Sequence, residues 1–188
     1  MKLIVGIGNP GKEYEHTRHN IGFDTIDTFC NKHNIVNSKT KFNGIYYEFS
    51  YKGEKILLLK PQSYVNLSGE IVKKYMDYFK IDIEDLFVIV DDLDQSVGHF
   101  KLKTNSSSGG HNGLKNIEQY LGTKNYKRLK IGISNNKNFD TKNYVLSKFS
   151  NEDRKLIDNV IMISTDIIID FITMSFDQLT NKYNNKHR

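Results

Sequence analysis

Polar residues that together could activate a water molecule occur in three separate stretches of this sequence. His19 lies in the polar stretch 17–20, Asn9 follows the first apolar run, and Asp91 follows a later apolar run at 86–90. A carboxylate that is hydrogen-bonded to one imidazole nitrogen fixes the tautomer and raises the basicity of the other nitrogen. Such a pair is a general base near neutral pH. The structural alternative is a solvated surface histidine.

The positions of the apolar runs predict that these three side chains meet. Residues 3–7 and 86–90 are continuous apolar runs, which are typical of strands buried on both faces. If the two strands are parallel neighbours, their carboxyl ends open onto the same edge of the sheet. Asn9 and Asp91 then lie at that edge, and the loop that carries His19 covers it.

Residues 6–11, GIGNPG, match the G-x-G-x-x-G pattern of dinucleotide-binding loops. Pro10, however, removes a backbone N–H where that motif needs donors. Residues 12–19 also lack the apolar spacing of the helix that should follow, and no strand with an acidic end arrives about 20 residues later. The sequence therefore favours a tight turn that directs Asn9 into a cleft, and it predicts no dinucleotide.

Asp91 begins an acidic cluster, Asp91-Asp92-Leu93-Asp94, directly after the second buried strand. Carboxylates at such a position often bind Mg²⁺, so a metal site is the alternative to a histidine partner. No second acidic cluster and no obvious phosphate-binding loop accompany them. We therefore expect no metal ion and no cofactor, with Asp91 as the functional carboxylate because it is nearest to the core.

Two further polar loops could add amide groups to the same edge of the sheet. Residues 60–69, KPQSYVNLSG, carry Tyr64 and Asn66, and residues 109–113, GGHNG, carry Asn112. An amide could hold a substrate carbonyl, an ester oxygen or a water, and Tyr64 could stack on a nucleotide base. Helix capping by either asparagine is an adequate structural explanation, and it stays open here.

Four basic residues lie on two predicted strands, 99–103 and 128–133. If these strands are adjacent, the four form one basic patch suited to phosphate. The formal net charge of +5 is compatible with a polyanionic partner. Scattered surface cations are the alternative. The four residues are Lys101, Lys103, Arg128 and Lys130.

Short apolar runs alternate with amphipathic segments along the chain, which predicts an α/β fold. We expect a single domain over residues 1–188, with a mixed, mostly parallel twisted sheet, helices on both faces and a polar tail at about 181–188. The polar stretch 104–110 is predicted to be a mobile loop. The other strands are expected at 46–51 and 55–59, and the helices at 20–32, 66–79, 113–120 and from 150 onward.

The composition indicates the cellular setting. Cys30 is the only cysteine, so nothing points to an oxidising compartment, and the cytoplasm is the expectation. The first apolar stretch breaks at glycine and proline, unlike a signal peptide, and no apolar run approaches the ~18 residues of a transmembrane helix. We expect no membrane contact and, in the absence of sustained heptads, a monomer.

Several separated motifs together resemble the bacterial-type peptidyl-tRNA hydrolase family. They have the order and spacing of that family over residues 2–134, whereas the C-terminal helices match in pattern only. Departures occur at Val65, where the family usually has methionine, and at 105–108 and 134–138. The motifs are LIVGIGNPGKEYEHTRHNIGF, KPQSYVNLSGE, DDLD, SGGHNGLKNIEQYLGT and YKRLKIGI.

The resemblance implies a metal-independent esterase that cleaves the bond between a peptidyl group and the 3′ end of tRNA. Such an enzyme recycles tRNA from peptidyl-tRNA that stalled translation releases. By the family pattern, His19 activates water, Asp91 stabilises and orients His19, and Asn9 recognises the blocked amino group. Asn66 is implied to stabilise a developing oxyanion.

The resemblance also implies which residues contact the tRNA. Substrate-contacting positions correspond to Tyr14, Tyr64, Asn66 and Asn112. The basic region that meets the 5′ phosphate corresponds to Lys103 and Lys130, together with Lys101 and Arg128. A rival hypothesis is an RNA-binding relative that has lost catalysis, but such a protein would be expected to lose the base, and His19 is present.

Overall fold

The computed structural model describes residues 1–184. In this part of the chain a seven-stranded sheet carries helices on both faces. The strands are β1 (Lys2–Gly6), β2 (Ser38–Lys41), β3 (Gly44–Tyr51), β4 (Glu54–Pro61), β5 (Leu86–Asp92), β6 (Phe100–Lys103) and β7 (Lys127–Gly132). The helices are α1 (Ile21–Lys32), α2 (Ser68–Phe79), α3 (Asn112–Leu121), α4 (Thr141–Val145), α5 (Asn151–Thr173) and α6 (Phe176–Tyr183).

The sheet has the strand order β2-β3-β4-β1-β5-β7-β6. Strands β4, β1, β5 and β7 are mutually parallel, and the strands at the two edges run antiparallel to their neighbours. The predicted mixed, mostly parallel sheet is confirmed. So is the pairing of β1 with β5, in which Gly6 lies opposite Ile89.

Two hydrophobic clusters fill the space between the sheet and its helices. One lies under α1, α5 and α6, where the Phe87 ring of β5 stacks on Phe171 with 4.5 Å between ring centroids. The other lies under α2 and α3 on the opposite face. Strands β1, β4 and β5 read as continuous apolar runs because each of them contributes side chains to both clusters.

Helix α1 begins directly over the carboxyl end of β1 because two glycines allow the backbones to touch. A Cβ atom at Gly22 would lie 2.3 Å from the Ile7 nitrogen, and one at Gly6 would lie 2.2 Å from the Gly22 carbonyl oxygen. The 3-10 turn Arg18–Asn20 immediately precedes α1. This close packing therefore holds the turn that carries His19 over that edge of the sheet.

The structure adds two elements that the sequence pattern did not predict. Strand β2 is polar and exposed, so it lacks the alternation that marks a strand, and it forms only through pairing with β3. Helix α4 has five residues and is too short to show helical periodicity. The Ser150 side chain caps α5 by accepting a 3.1 Å hydrogen bond from the Asp153 nitrogen, as expected.

The predicted polar tail at about 181–188 overlaps the end of the last described helix. Helix α6 continues to Tyr183, and the Asn184 side chain hydrogen-bonds both the nitrogen and the oxygen of Leu102. Residues 185–188 lie outside the described part of the chain. Among residues 1–184, no helix is long and apolar enough to cross a membrane.

Candidate active site

A cleft of about 690 Å³ opens at the carboxyl edge of the parallel strands. Loops after β1, β4, β5 and before α3 form most of its lining, and α4 closes one side. Eight residues singled out from the sequence line this cleft. They are Asn9, Tyr14, His19, Tyr64, Asn66, Asp91, Asn112 and Lys130.

His19 and Asp91 are hydrogen-bonded inside the cleft. The distance between His19 Nδ1 and Asp91 Oδ2 is 2.8 Å, and the Asp91 side chain is almost fully buried. An ionised carboxylate can only accept, so Nδ1 of His19 carries the hydrogen. The Nε2 atom is then the imidazole nitrogen with an available lone pair, which is the arrangement required of a general base.

His111 is a second partner of the same carboxylate, and the sequence interpretation missed its role. Its Nε2 atom lies 2.9 Å from Asp91 Oδ1, and its Nδ1 atom accepts a hydrogen bond from the Leu114 backbone nitrogen. Because the backbone N–H must donate, Nδ1 is unprotonated and Nε2 donates to Asp91. A histidine between glycines in the GGHNG loop was the available signal, but only Asn112 of that loop was predicted to contribute to the site.

Burial and charge act in opposite directions on this cluster. Burial lowers the pKa of His19, but the charge of the Asp91 carboxylate and the hydrogen bond to it raise this pKa to above its ordinary value. Burial raises the pKa of Asp91, yet the two imidazoles and their hydrogen bonds hold that pKa well below its usual range. Asp91 is therefore ionised at neutral pH, and His19 is a stronger base than a free imidazole.

Asn9 is held rigidly with its amide hydrogens available. Its Oδ1 atom accepts from the Val65 nitrogen at 2.8 Å, which fixes the orientation of the amide. The side chain of Asn20 brackets the Asn9 backbone, accepting from its nitrogen and donating to its oxygen, both at 2.9 Å. Asn9 therefore offers its Nδ2 hydrogens as donors at a fixed position on the cleft wall.

Asn66 and Asn112 lie exposed at the rim of the cleft and do not cap helices. The N-cap residue of α2 has no capping side chain, the Gly69 nitrogen in its first turn donates to Asn116 Oδ1 at 2.7 Å, and α3 is capped by His111. Within residues 1–184 neither amide makes a side-chain hydrogen bond. The capping interpretation is therefore wrong for both residues, and both amides are free to bind a ligand.

Two tyrosines that contact each other form an aromatic rim of the cleft. The rings of Tyr14 and Tyr64 meet edge to face with 6.3 Å between centroids, and Tyr64 is 58% exposed. An exposed ring held by a second ring is a suitable platform for a flat ligand group such as a nucleotide base.

The structure divides the predicted basic patch. Strands β6 and β7 are neighbours as expected, with Lys101 opposite Lys130 and Lys103 opposite Arg128. Lys101 and Lys103 are exposed, and Lys130 lies in the cleft with its Nζ atom 3.8 Å from Asp92 Oδ2.

Arg128 does not belong to this surface. Its side chain is fully buried, donates to the Glu118 carboxylate and the Lys124 carbonyl, and lies 4.2 Å from the Tyr126 ring centroid. The strand pattern put it on the correct face of the sheet, but helix α3 covers that position. A phosphate group has no access to Arg128, so the prediction that Arg128 belongs to the basic patch is wrong.

The acidic cluster is not arranged as a magnesium site. Both oxygens of Asp91 accept from imidazoles, and those of Asp92 accept from the Asp94 nitrogen and the Gln95 side chain. The group His19, Asp91 and His111 has the composition of a transition-metal site. In this structure its ligand atoms are paired with each other by hydrogen bonds, at 2.8 Å from His19 and 2.9 Å from His111 to the Asp91 carboxylate.

Helix α4 supplies a wall of the cleft that the sequence did not predict. Thr141, Lys142, Val145 and Leu146, from α4 and the residue that follows it, line the cavity. The fold and this geometry define the class of protein: an α/β protein with a histidine–carboxylate pair in a cleft at the carboxyl ends of its strands.

Comparisons with known proteins agree with that class and refine it. The profile of the family described as Peptidyl-tRNA hydrolase matches residues 3–188. The peptidyl-tRNA hydrolase of Clostridium novyi is 44% identical over 184 residues, which are 98% of each chain. That of Listeria monocytogenes is 44% identical over 186 residues, covering 99% of this chain and 100% of the relative. The chain belongs to the peptidyl-tRNA hydrolase family.

Solved structures show the same fold. The crystal structure of peptidyl-tRNA hydrolase from Acinetobacter baumannii superposes with a TM-score of 0.89 at 33% identity, covering 96% of this chain and 93% of that one. A methylthioadenosine nucleosidase from Arabidopsis thaliana is similar with a TM-score of 0.54 at 8% identity, which is a likeness of fold alone.

Proposed function

We propose that this chain hydrolyses the ester between a peptidyl group and the 3′ end of tRNA with His19 as the general base. The observation that carries the proposal is the 2.8 Å hydrogen bond from His19 Nδ1 to the buried Asp91 carboxylate, inside a cleft that three asparagine amides also line. Membership of the peptidyl-tRNA hydrolase family supplies the reaction and the substrate.

In the first step, His19 Nε2 takes a proton from a water molecule while the water oxygen attacks the ester carbonyl carbon. A carbon–oxygen bond forms, and the carbonyl electron pair becomes an oxyanion. Asp91 stabilises the imidazolium that results, because its negative charge is fixed beside the ring. Asn66, which lies at the rim with its amide unpaired, donates to the oxyanion.

In the second step, the bond between the carbon and the tRNA 3′ oxygen breaks. The imidazolium of His19 returns its proton to that oxygen, so the base is regenerated and a free tRNA hydroxyl is formed. The peptide leaves with a carboxylate. Burial raises the pKa of the Cys30 thiol to about 12, so the one cysteine is not a competing nucleophile at neutral pH.

Asn9 provides the means to distinguish peptidyl-tRNA from aminoacyl-tRNA. Its Nδ2 hydrogens are the donors left after Oδ1 has accepted from Val65. A blocked amino group brings an acyl carbonyl that can accept from Nδ2, whereas a free amino group is a cation that only donates. A rigid donor therefore favours the blocked substrate, because the free amine leaves it unpaired.

The tRNA is bound by groups around the mouth of the cleft. Tyr14, Tyr64 and Asn112 contact the 3′-terminal nucleotides, and the exposed ring of Tyr64 stacks on a base. Lys103, Lys130 and Lys101 meet the 5′ phosphate region as positive charges. The exposed lysines Lys101 and Lys103 on β6 support this assignment.

The enzyme needs no metal ion or cofactor for this reaction, since base, oxyanion donor and substrate donors are all side chains. We place the reaction in the cytoplasm, where tRNA is used and the single cysteine stays reduced. We also propose that the chain acts as a monomer, because the sequence has no sustained heptad repeat that demands a partner.

The decisive experiment is hydrolysis of N-acetyl-aminoacyl-tRNA in EDTA, with unblocked aminoacyl-tRNA and His19→Ala as controls. We expect release from the blocked substrate alone, reduced roughly 10²- to 10⁴-fold in His19→Ala. Tight tRNA binding without release in the wild type would instead support an RNA-binding protein without catalysis. Activity that EDTA abolishes would mean that a metal ion takes part.

A further inference from the structure

The side chain of Arg18, next to the base, extends from the 3-10 turn to the segment that follows α4. Its Nη1 atom donates to the Ser147 hydroxyl oxygen at 2.6 Å and to the Lys148 carbonyl at 2.8 Å. The backbone makes the same connection, because the Arg18 nitrogen donates to the Ser147 carbonyl at 3.0 Å and Thr17 forms a β-bridge with Lys148.

Two aromatic rings hold the same guanidinium. Its carbon atom lies 4.2 Å from the ring centroid of Tyr144 and 5.1 Å from that of Phe149. A planar guanidinium stacks on such rings and donates from its edge at the same time, which an ammonium group does not do. The two rings therefore favour a guanidinium over an ammonium group at this position, although the buried Nε atom has no hydrogen-bond partner among the described residues.

The hydrogen bonds around Ser147 also require a donor at this position. The Ser147 hydroxyl donates its single hydrogen to the Tyr144 carbonyl at 2.6 Å, so its oxygen faces Arg18 as an acceptor. The Lys148 carbonyl is an acceptor as well. Both acceptors are satisfied by one atom of the guanidinium, Nη1.

The segment that Arg18 holds is part of the cleft. Val145 and Leu146 line the cavity, and the Tyr144 hydroxyl donates to the Ile133 carbonyl just after β7 at 2.6 Å. Arg18 thus connects the backbone beside His19 to the α4 wall, and the Tyr144 hydroxyl connects that wall to the sheet. No other side chain in the described residues 1–184 bonds to both the His19 turn and the segment 144–149.

We propose that Arg18 is a positioning residue that aligns His19 with Asp91 and fixes the α4 wall of the cleft around the substrate. The proposal rests on the function proposed above, since it assumes that His19 is the base. Arg18 acts through its neighbours and does not itself touch the reacting atoms.

The environment of His19 explains how such alignment becomes measurable. Asp91 of β5 and His111 before α3 face its ring, and Asp92, Lys130 and Lys142 are the other charged groups of the cleft lining. Only the contact with Asp91 raises the pKa of His19 against the effect of burial. A turn that drifts from Asp91 therefore lowers the pKa of His19, because the effect of burial is then opposed less.

The test compares Arg18→Lys with two variants that weaken the same contacts, Ser147→Ala and Phe149→Leu, neither of which removes a cleft-lining side chain. The measured quantities are kcat, KM and the pH dependence of kcat/KM. Arg18→Lys should lower kcat roughly 10- to 100-fold, because a displacement near 1 Å costs about that much. In Arg18→Lys the acid limb of the pH profile of kcat/KM should move to lower pH, and KM should change less than kcat.

Phe149→Leu and Ser147→Ala should produce the same changes in smaller measure. Lys148→Ala is the matched control, since it removes a positive charge from the same segment but keeps the backbone carbonyl that Arg18 uses. It should leave the pH profile unchanged. Millimolar guanidinium should partly restore kcat in Arg18→Ala, and sodium chloride at equal ionic strength should not.

Thermal unfolding separates positioning from a merely structural role. If the Arg18, Ser147 and Phe149 variants unfold at lower temperature but keep the wild-type kcat and pH profile well below that temperature, the inference is wrong. If the wild type itself releases no peptide, the proposed function has failed instead. Phe149→Leu keeps the test valid even if Arg18→Lys does not fold, because it leaves the guanidinium in place.

Discussion

At the scale of single residues, the site depends on the two oxygens of one carboxylate. Asp91 accepts one hydrogen bond from His19 and one from His111, at 2.8 and 2.9 Å, so each oxygen has a different imidazole partner. The two histidines in turn lie with 4.9 Å between ring centroids. Any change to Asp91 is therefore transmitted to both rings at once.

Replacing Asp91 with Asn tests this arrangement. An amide has one accepting atom and one donating group, so one imidazole must either lose its hydrogen bond or change its tautomer, and a His19 that accepts at Nδ1 carries its hydrogen on Nε2. The pKa of His19 is raised in the wild type, and a base must be unprotonated, so activity should increase as pH rises through that elevated value. In Asp91→Asn the acid limb should move to lower pH, and the maximal rate should fall roughly 10²-fold or more.

The measurement is kcat/KM against pH for both proteins with a blocked aminoacyl-tRNA. An unchanged limb together with an unchanged plateau would contradict the orienting role of Asp91. A lower maximal kcat/KM with an unshifted acid limb would still support a catalytic role for Asp91. It would contradict the claim that Asp91 acts by raising the pKa of His19.

At the scale of elements, the position of His19 is set by how closely α1 approaches β1 and β5. A Cβ atom at Gly22 would lie within 2.6 Å of three backbone atoms, which belong to Ile7 and Ile89. Backbone in the middle of a sheet cannot move aside as a flexible side chain can. The helix would have to shift, and the turn that carries His19 would shift with it.

Gly22→Ala should therefore destabilise the protein and reduce its activity together. We expect a loss of about 3 kcal/mol in the free energy of unfolding, the upper end for overpacked sites. Urea unfolding measures this loss.

Gly53→Ala is the matched control, because its Cβ meets no atom within 4 Å, although its φ of +81° is unfavourable for alanine. That control should lose only about 1 kcal/mol and keep full activity. A Gly22→Ala protein as stable and active as the wild type would show that the close approach does not position the site.

At the scale of the whole molecule, the basic residues of β6 and β7 divide into two kinds. Lys101 and Lys103 are exposed at the edge of the sheet, whereas Arg128 is enclosed with its own acceptors. The formal net charge of +5 counts exposed and buried basic residues equally, so it does not show which of them a phosphate group can reach. The two exposed lysines, together with Lys130 in the cleft lining, are the members of the patch that can neutralise phosphate and release counterions.

Lys103→Ala should weaken tRNA binding and reduce the dependence of log Kd on log salt concentration by about one unit, as expected for one lost phosphate contact. The measurement is Kd for deacylated tRNA across a series of salt concentrations. Lys155→Ala, an exposed cation on α5, is the control and should keep the wild-type slope. Equal slopes for wild type and Lys103→Ala would remove Lys103 from the tRNA interface.

The sequence by itself determined the α/β class, the strands that carry the site and most of its polar residues. Residues 3–7 and 86–90 can be recognised because strands buried on both faces must be apolar throughout. His19, Asp91 and Asn9 could be linked before the structure, because parallel neighbouring strands end at one edge of a sheet. The family motifs depend on the same local order of residues.

Tertiary structure alone decided which polar groups are partners. His111 joins Asp91 only because the loop before α3 folds over β5, and Arg128 is lost to the basic surface only because α3 covers it. Helix α4 and the contacts of Arg18 lie more than 100 residues from the base in sequence. Such pairings arise from packing between distant segments, and periodicity along the chain carries no information about them.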